Sequence, residues 1–185
     1  MTEDSPLRDE AKLVRAAKAG DPNAFGLLYD AYVDRLYRFV YYRVSDEPLA
    51  EDLTSRVFLK AWENLQGYRD RGLSFGAWLF SIARNTVIDH YRTIKQEQSL
   101  ETAGPLVDEE DPESLLRRTQ QGDQLANALR QLTDDQREVL VLKFIEGYDT
   151  NEIAGFVGKK PGAVRALQMR GLQALERILG GEEPW

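Results

Sequence analysis

Residues 150–175 read TNEIAGFVGKKPGAVRALQMRGLQAL, and this stretch decides the fold. It predicts two helices joined by a tight turn. Thr150 is a good N-cap, and Glu152 places an acid in the first turn, where the helix dipole favours it. Ile153, Ala154 and Val157 recur at three- and four-residue spacing, so they share one buried face. Gly158 follows, where a helix can stop in a left-handed conformation, and Pro161 suits the first position of the next helix. Val164, Leu167, Gly171, Leu172 and Leu175 form that helix's inner stripe. Arg165, Ala166, Met169, Arg170 and Gln173 face outward. A small residue at the crossing, a glycine four residues on and an apolar lock six later make a helix-turn-helix.

An ordinary helical hairpin with a solvated basic face would share this pattern. Local charge favours DNA. Between Gly155 and Ile178 lie five cations (Lys159, Lys160, Arg165, Arg170, Arg177) and one acid, Glu176, in a chain of net charge −7. Cations at the start and outer face of the second helix are what phosphate contact requires.

The remaining acidity is concentrated. Residues 96–125 carry two cations and eight acids, while residues 1–95 are neutral overall. Residues 96–120, QEQSLETAGPLVDEEDPESLLRRTQ, also lose helical periodicity and contain Gly104-Pro105 and Pro112. An irregular stretch this long reads as a linker, so a domain boundary belongs here. The expected fold is therefore all-α: two small helical domains joined by a flexible acidic linker, the second containing the helix-turn-helix. The expected limits are a disordered 1–10, a first domain over 11–95, the linker over 96–120, a second domain over 121–179 and a tail over 180–185.

Within the first domain, Ala11–Ala19 predicts a short helix and Asp21-Pro22 starts a long one to about Val44. Phe25, Leu28, Tyr29, Tyr32, Leu36, Phe39, Val40 and Arg43 keep helical spacing. Their aromatic density admits base stacking, but this spacing favours core packing. A third helix, Leu49–Leu65, buries Ala50, Leu53, Val57, Phe58, Ala61 and Leu65. Glu51, Asp52, Ser55, Leu59 and Trp62 fall on its other side, which suggests either a protein-binding face or a helix buried on two sides. The loop from Gln66 to Ser74 holds Tyr68 and Arg69. Phe75–Arg92 predicts a helix whose outer stripe is Trp78, Ser81, Asn85, Ile88 and Arg92, flanked by Arg84. Bases can stack on its aromatic residue and cations can hold phosphates, although a solvated face is the plain alternative. In the second domain, Leu125, Ala128, Leu129 and Leu132 mark one helix. Thr133 caps the next in a capping box with Gln136, and Val139, Leu140, Leu142, Lys143 and Phe144 carry that helix to Gly147.

Several function classes drop out. Without cysteine the chain has no disulfide, thiolate zinc site or thiol sensor. One histidine, His90, makes a histidine-based triad or metal cluster untenable. No nucleophile, phosphate loop or metal constellation appears, so neither catalysis nor a cofactor is expected. No apolar run nears the ~18 residues of a membrane helix, and the acidic, polar start is not a targeting peptide. A cytoplasmic protein is expected.

AEDLTSRVFLKAWENL (Ala50–Leu65), FGAWLFSIARNTVIDHYR (Phe75–Arg92) and the long stretch from Leu132 to Leu175 occur in this order. In this combination the chain resembles the extracytoplasmic-function group of bacterial sigma factors, over roughly Ala11–Arg92 and Leu125–Arg177. The resemblance implies a factor that binds core RNA polymerase and directs it to promoters. It implies that Glu51, Asp52, Ser55, Leu59 and Trp62 meet the polymerase clamp. Tyr68, Arg69, Trp78, Ser81, Arg84, Asn85 and Arg92 would then capture an unstacked non-template base. Lys159, Lys160, Arg165, Ala166, Met169 and Arg170 would read the upstream duplex element. Such factors are often held by an anti-sigma protein, so one is expected here. The chain departs from the family's pattern at Ser55-Arg56, where a Gln-Glu pair is frequent. It departs also at Gly162-Ala163-Val164, usually Gly-Thr-Val, and at Leu167, often arginine. Two rival functions are an operator-binding regulator, which would need no polymerase, and a sigma-mimicking adaptor, which would have lost DNA contact.

Overall fold

The computed structural model describes residues 9–70, 72–100 and 120–180. Among them the chain is all-α, in two helical domains. The first holds α1 (Glu10–Lys18), α2 (Pro22–Val44), α3 (Glu47–Asn64) and α4 (Phe75–Leu100), with a 3-10 turn at Leu65–Gly67. The second holds α5 (Gln120–Arg130), α6 (Asp134–Leu140), a wide π-turn at Val141–Ile145, α7 (Thr150–Val157) and α8 (Pro161–Gly180). No helix of the described residues is long and apolar enough to cross a membrane.

Local chemistry sets the boundaries. Asp21 accepts from the backbone N–H of Asn23 and Ala24, which fixes the start of α2 behind Pro22. Ser45 ends α2 in a left-handed conformation, and Asp46 caps α3 through Leu49 N–H. Thr133 and Gln136 close the expected capping box. The cap of α7 differs from expectation. Asp149, not Thr150, accepts from Asn151 and Glu152, and the Glu152 carboxylate returns to Asp149 N–H. A carboxylate accepts two amides more strongly than a hydroxyl, so the cap sits one residue earlier.

At both ends the described helices reach into the stretch expected as linker. Residues 96–100 continue α4, because no glycine or proline interrupts them, and Gln120 already belongs to α5. Residues 101–119 lie outside the described residues, as do 1–8 and 181–185, where the disordered start and most of the tail were expected.

The buried apolar stripe of α3 is the expected Ala50, Leu53, Val57, Phe58 and Ala61, continued by Leu65 in the 3-10 turn. In α2 the core takes Leu28, Tyr32, Leu36, Phe39 and Val40, while Tyr29 is exposed and Phe25 half-buried. In α8 the inner stripe is Val164 and Gly171, with Leu167, Ala174, Leu175 and Ile178 beside them. Leu172 was expected in that stripe and is exposed. Gly171 occupies the close approach to Leu140 instead, where a Cβ would lie 2.9 Å from Leu140 Cδ1.

One hydrophobic cluster runs through both domains, a feature the sequence reading did not anticipate. Phe80 of α4 lies against Tyr148 and Phe156 of the second domain, with ring centroids 5.5 and 5.6 Å apart. Two buried carboxylates tie the same seam. Glu146 leaves the π-turn to accept from Arg35 Nε at 3.3 Å and Arg38 Nε at 2.9 Å, both on α2. Glu138 of α6 accepts from Arg84 Nε at 2.9 Å and pairs with Arg43 at 3.7 Å. Burial pushes the Glu138 carboxyl above its ordinary range, and the two guanidiniums pull it back down.

Gly76 marks another tight contact. A Cβ there would sit 2.8 Å from Tyr32 Oη and 3.0 Å from Cε1, and the Tyr32 hydroxyl is held by the Glu10 carboxylate. Gly76→Ala is expected to destabilise the chain by about 1–3 kcal/mol, the ordinary cost of overpacking. A lowered urea midpoint at unchanged slope would show it.

Candidate nucleic-acid interface

The helix-turn-helix is built from α7 and α8. Ile153, Ala154, Phe156 and Val157 are buried, and Gly158 turns the chain at φ 64°. Lys159 N–H donates back to Ala154 O at 3.1 Å, and Lys160 O accepts from Val164 N–H, so the turn and the start of α8 are fixed by backbone bonds. This geometry leaves Arg165, Met169 and Arg170 exposed on one face, with Ala166 half-buried between them. Lys160 is exposed at the helix start. Lys159 is half-buried and pairs with Asp135 of α6 at 3.0 Å.

The second cluster lies on α4 and the turn before it. Asn85 and Arg92 are exposed, and Arg92 pairs with Asp89 at 3.8 Å. Trp78 and Ser81 are half-buried, with Ser81 Oγ donating to Trp78 O. Tyr68, expected in an open loop, is 7% exposed. It packs between Phe75 and Trp78, and its hydroxyl donates to Leu73 O at 2.9 Å. Burial, with Asp70 and Glu10 nearby, pushes that phenol up to about 12, so it stays a neutral donor. Arg69 is exposed, and its guanidinium donates to the carbonyls of Gln66 and Tyr68. Arg84 does not face the same way as Asn85: it engages Glu138 and lies 3.9 Å from Asp135. Asp135 therefore stands between two cations assigned to different DNA elements.

A third surface is apolar. Leu59 and Trp62 on α3 are 57% and 42% exposed, flanked by exposed Glu51, Asp52 and Ser55. Trp62 meets Phe25 edge-on at 4.8 Å, and exposed Tyr29 of α2, whose ring lies 4.5 Å from that of Phe58, extends the surface; Leu27 is exposed elsewhere on α2. Sequence reasoning missed Leu27 altogether and read Tyr29 as core, because apolar residues at helical spacing do not say where a stripe's edge falls. Asp52 is paired with Arg56 at 2.9 Å. Among the described residues no group of acidic and histidine side chains could hold a metal ion.

Comparison with known proteins matches the two domains separately. Residues 28–97 match the Sigma-70 region 2 family, and residues 122–175 match Sigma-70, region 4. The chain is 39% identical over 180 residues to the ECF RNA polymerase sigma factor BldN of Streptomyces coelicolor, covering 95% of this chain and 68% of the relative. It is 34% identical over 160 residues to ECF RNA polymerase sigma factor SigX of Bacillus subtilis, covering 83% and 82%. Among solved structures, CnrH in complex with the cytosolic domain of CnrY superposes with a TM-score of 0.72 at 25% identity, covering 94% of this chain and 99% of that one.

Proposed function

The chain belongs to the ECF RNA polymerase sigma factors, and from that premise we propose how its residues divide the work of initiation. As a sigma factor it binds core RNA polymerase and directs it to promoters. It has no catalytic step of its own in this reading, and it works in the cytoplasm beside polymerase and DNA. Leu59 and Trp62, with Tyr29 and the rim of Glu51, Asp52 and Ser55, form the polymerase contact. An exposed aromatic anchor with a polar rim suits a protein interface. Trp78, Ser81, Asn85 and Arg92, with Arg69, Tyr68 and Arg84 from the neighbouring surface, serve the melted non-template strand of the downstream element.

The upstream element is read by α8. The observation that carries this is the exposed face of Arg165, Met169 and Arg170 on a helix whose start is fixed by the Gly158 turn. Such a helix presents its first turns to the major groove, where arginine can grip guanine O6 and N7. Lys159 and Lys160 hold phosphates, and Ala166 leaves room for close approach. A protein inhibitor is also proposed. The CnrH structure contains the cytosolic domain of CnrY, and a partner of that kind fits this fold.

Arg165→Ala is expected to cost roughly 1–3 kcal/mol at one base pair and to relax selectivity there. Lys160→Ala should weaken all promoters about equally. Run-off transcription with core polymerase on a set of single-base promoter variants tests both. An unchanged ranking of promoters in Arg165→Ala would remove its base-reading role.

A further inference from the structure

Helix α1 lies outside the matched Sigma-70 region 2 segment, which begins at residue 28. It nevertheless grips the turn that precedes α4. Lys18 Nζ donates to Tyr68 O at 2.8 Å, and Gln66 Nε2 donates to Lys18 O at 2.5 Å. The two bonds run in opposite directions, so they fix the turn in both position and rotation. Tyr68 O also receives Arg69 Nη1 at 3.2 Å, so one carbonyl is held by two cations. At the other end of α1, Glu10 accepts from Tyr32 Oη, and the Tyr32 ring stops Gly76 of α4 from approaching closer. The helix is thus tied to α2 at one end and to the turn at the other. Between α1 and the turn lies a cavity of about 670 Å³, walled by Arg15 and Lys18 on one side and by Tyr68, Arg69 and Phe75 on the other.

We propose that α1 braces the strand-capturing surface, with Lys18 as its positioning residue. The proposal rests on the reading that Tyr68, Arg69, Trp78 and Asn85 meet the melted strand. Tyr68 contacts Trp78 at 5.1 Å, so the carbonyl that Lys18 holds belongs to the residue that shelves the aromatic platform. Without the ammonium, the Tyr68 carbonyl keeps the bond from Arg69, and α1 keeps the bond from Gln66. Arg69 Nη1 then serves as a strut for the turn, which leaves the other N–H groups of that exposed guanidinium to face the strand. A charge-assisted bond lost at such a point loosens geometry on which capture depends.

The test uses the full chain assembled with core polymerase. Lys18→Met keeps the apolar stem and removes the donor, and Lys18→Arg restores a cationic donor. Gln66→Ala cuts the second bond without altering α1. Two quantities are read: thymine reactivity to permanganate on a promoter, and the preference for an intact over an abasic nucleotide in the non-template downstream strand. Lys18→Met is expected to reduce opening about tenfold and to flatten the preference, with polymerase and upstream-duplex binding unchanged. Gln66→Ala should move both readouts the same way, and Lys18→Arg should recover most of the loss. A merely structural role would lower the folded fraction without changing the preference of what remains. Wild-type opening and preference in both Lys18→Met and Gln66→Ala would overturn the proposal, as would loss in Lys18→Met that Lys18→Arg leaves unrepaired. Trp78→Ala in the same assay separates the two levels. If it loses opening while Lys18→Met does not, only the brace fails. If it too behaves as wild type, the strand-capture reading itself fails.

Discussion

Glu138→Ala is expected to destabilise the folded chain by about 3–5 kcal/mol, the cost of leaving a buried charge without its partner. The Glu138 and Arg43 side chains are 3% and 6% exposed. Arg43 Nη1 makes no hydrogen bond, so its compensation is the carboxylate 3.7 Å away. Arg84, partly exposed, can rehydrate when Glu138 is removed; Arg43 cannot. Truncation therefore strands a guanidinium between α2 and α6. The sign depends on which partner goes. Replacing both by apolar residues, Arg43→Met with Glu138→Leu, removes the charge as well as its counter-charge and should recover much of the loss. Urea unfolding of Arg43→Met, Glu138→Leu and the double forms a double-mutant cycle with a large coupling energy. A single mutant within ~0.5 kcal/mol of the parent, the range of a neutral surface change, would mean that the seam is hydrated and that the pair holds nothing.

The other large expected effect is on binding. Core polymerase should raise the affinity of this chain for its promoter by roughly 10²–10⁴-fold, the range reached when two weak sites act as one. The free chain is poorly prepared for DNA. Its net charge is −7, which opposes a polyanion. Lys159 is paired with Asp135, Arg84 with Glu138 and Asp135, and Arg92 with Asp89, so three of the cations assigned to DNA face protein carboxylates. Phe80, Tyr148 and Phe156 hold α4 against the second domain. Polymerase is expected to contribute by holding the two domains apart at promoter spacing. That separation should draw Asp135 and Glu138 away from Arg84 and let both proposed DNA faces engage together. Opening the seam is expected to lower the affinity of the free chain, and the polymerase contact to offset that cost.

Much of this fold was legible because it is local. Asp21-Pro22, Thr133 with Gln136, and Gly158 with Pro161 each state a helix boundary in two or three residues, and the buried stripe of α3 follows from spacing alone. The seam was not legible. Phe80, Tyr148 and Phe156 announce burial, but an apolar side chain carries no sign of which domain covers it. Glu138 and Glu146 look like solvated acids beside a capping box and a glycine. Only the close approach of α2 and α4, more than 50 residues away in sequence, makes them partners of arginine. The π-turn compounds this, since Glu146 N–H bonds to Val141 O five residues back and moves the acid off the expected helical face. At the candidate site, Arg165 and Arg170 were legible as an outward face. The burial of Tyr68 was not, because a tyrosine in a polar loop gives no hint that Phe75 and Trp78 close over it.

Fluorescence anisotropy on one labelled promoter duplex, at one fixed salt concentration, tests the dependence on polymerase most directly. The full chain is titrated alone and then in complex with core polymerase, against the promoter and against a duplex with the upstream element scrambled. Weak binding with little preference is expected from the free chain, and tight binding that is lost on scrambling is expected from the complex. Tight, sequence-specific binding by the free chain would contradict this and would identify an operator-binding mode that needs no polymerase.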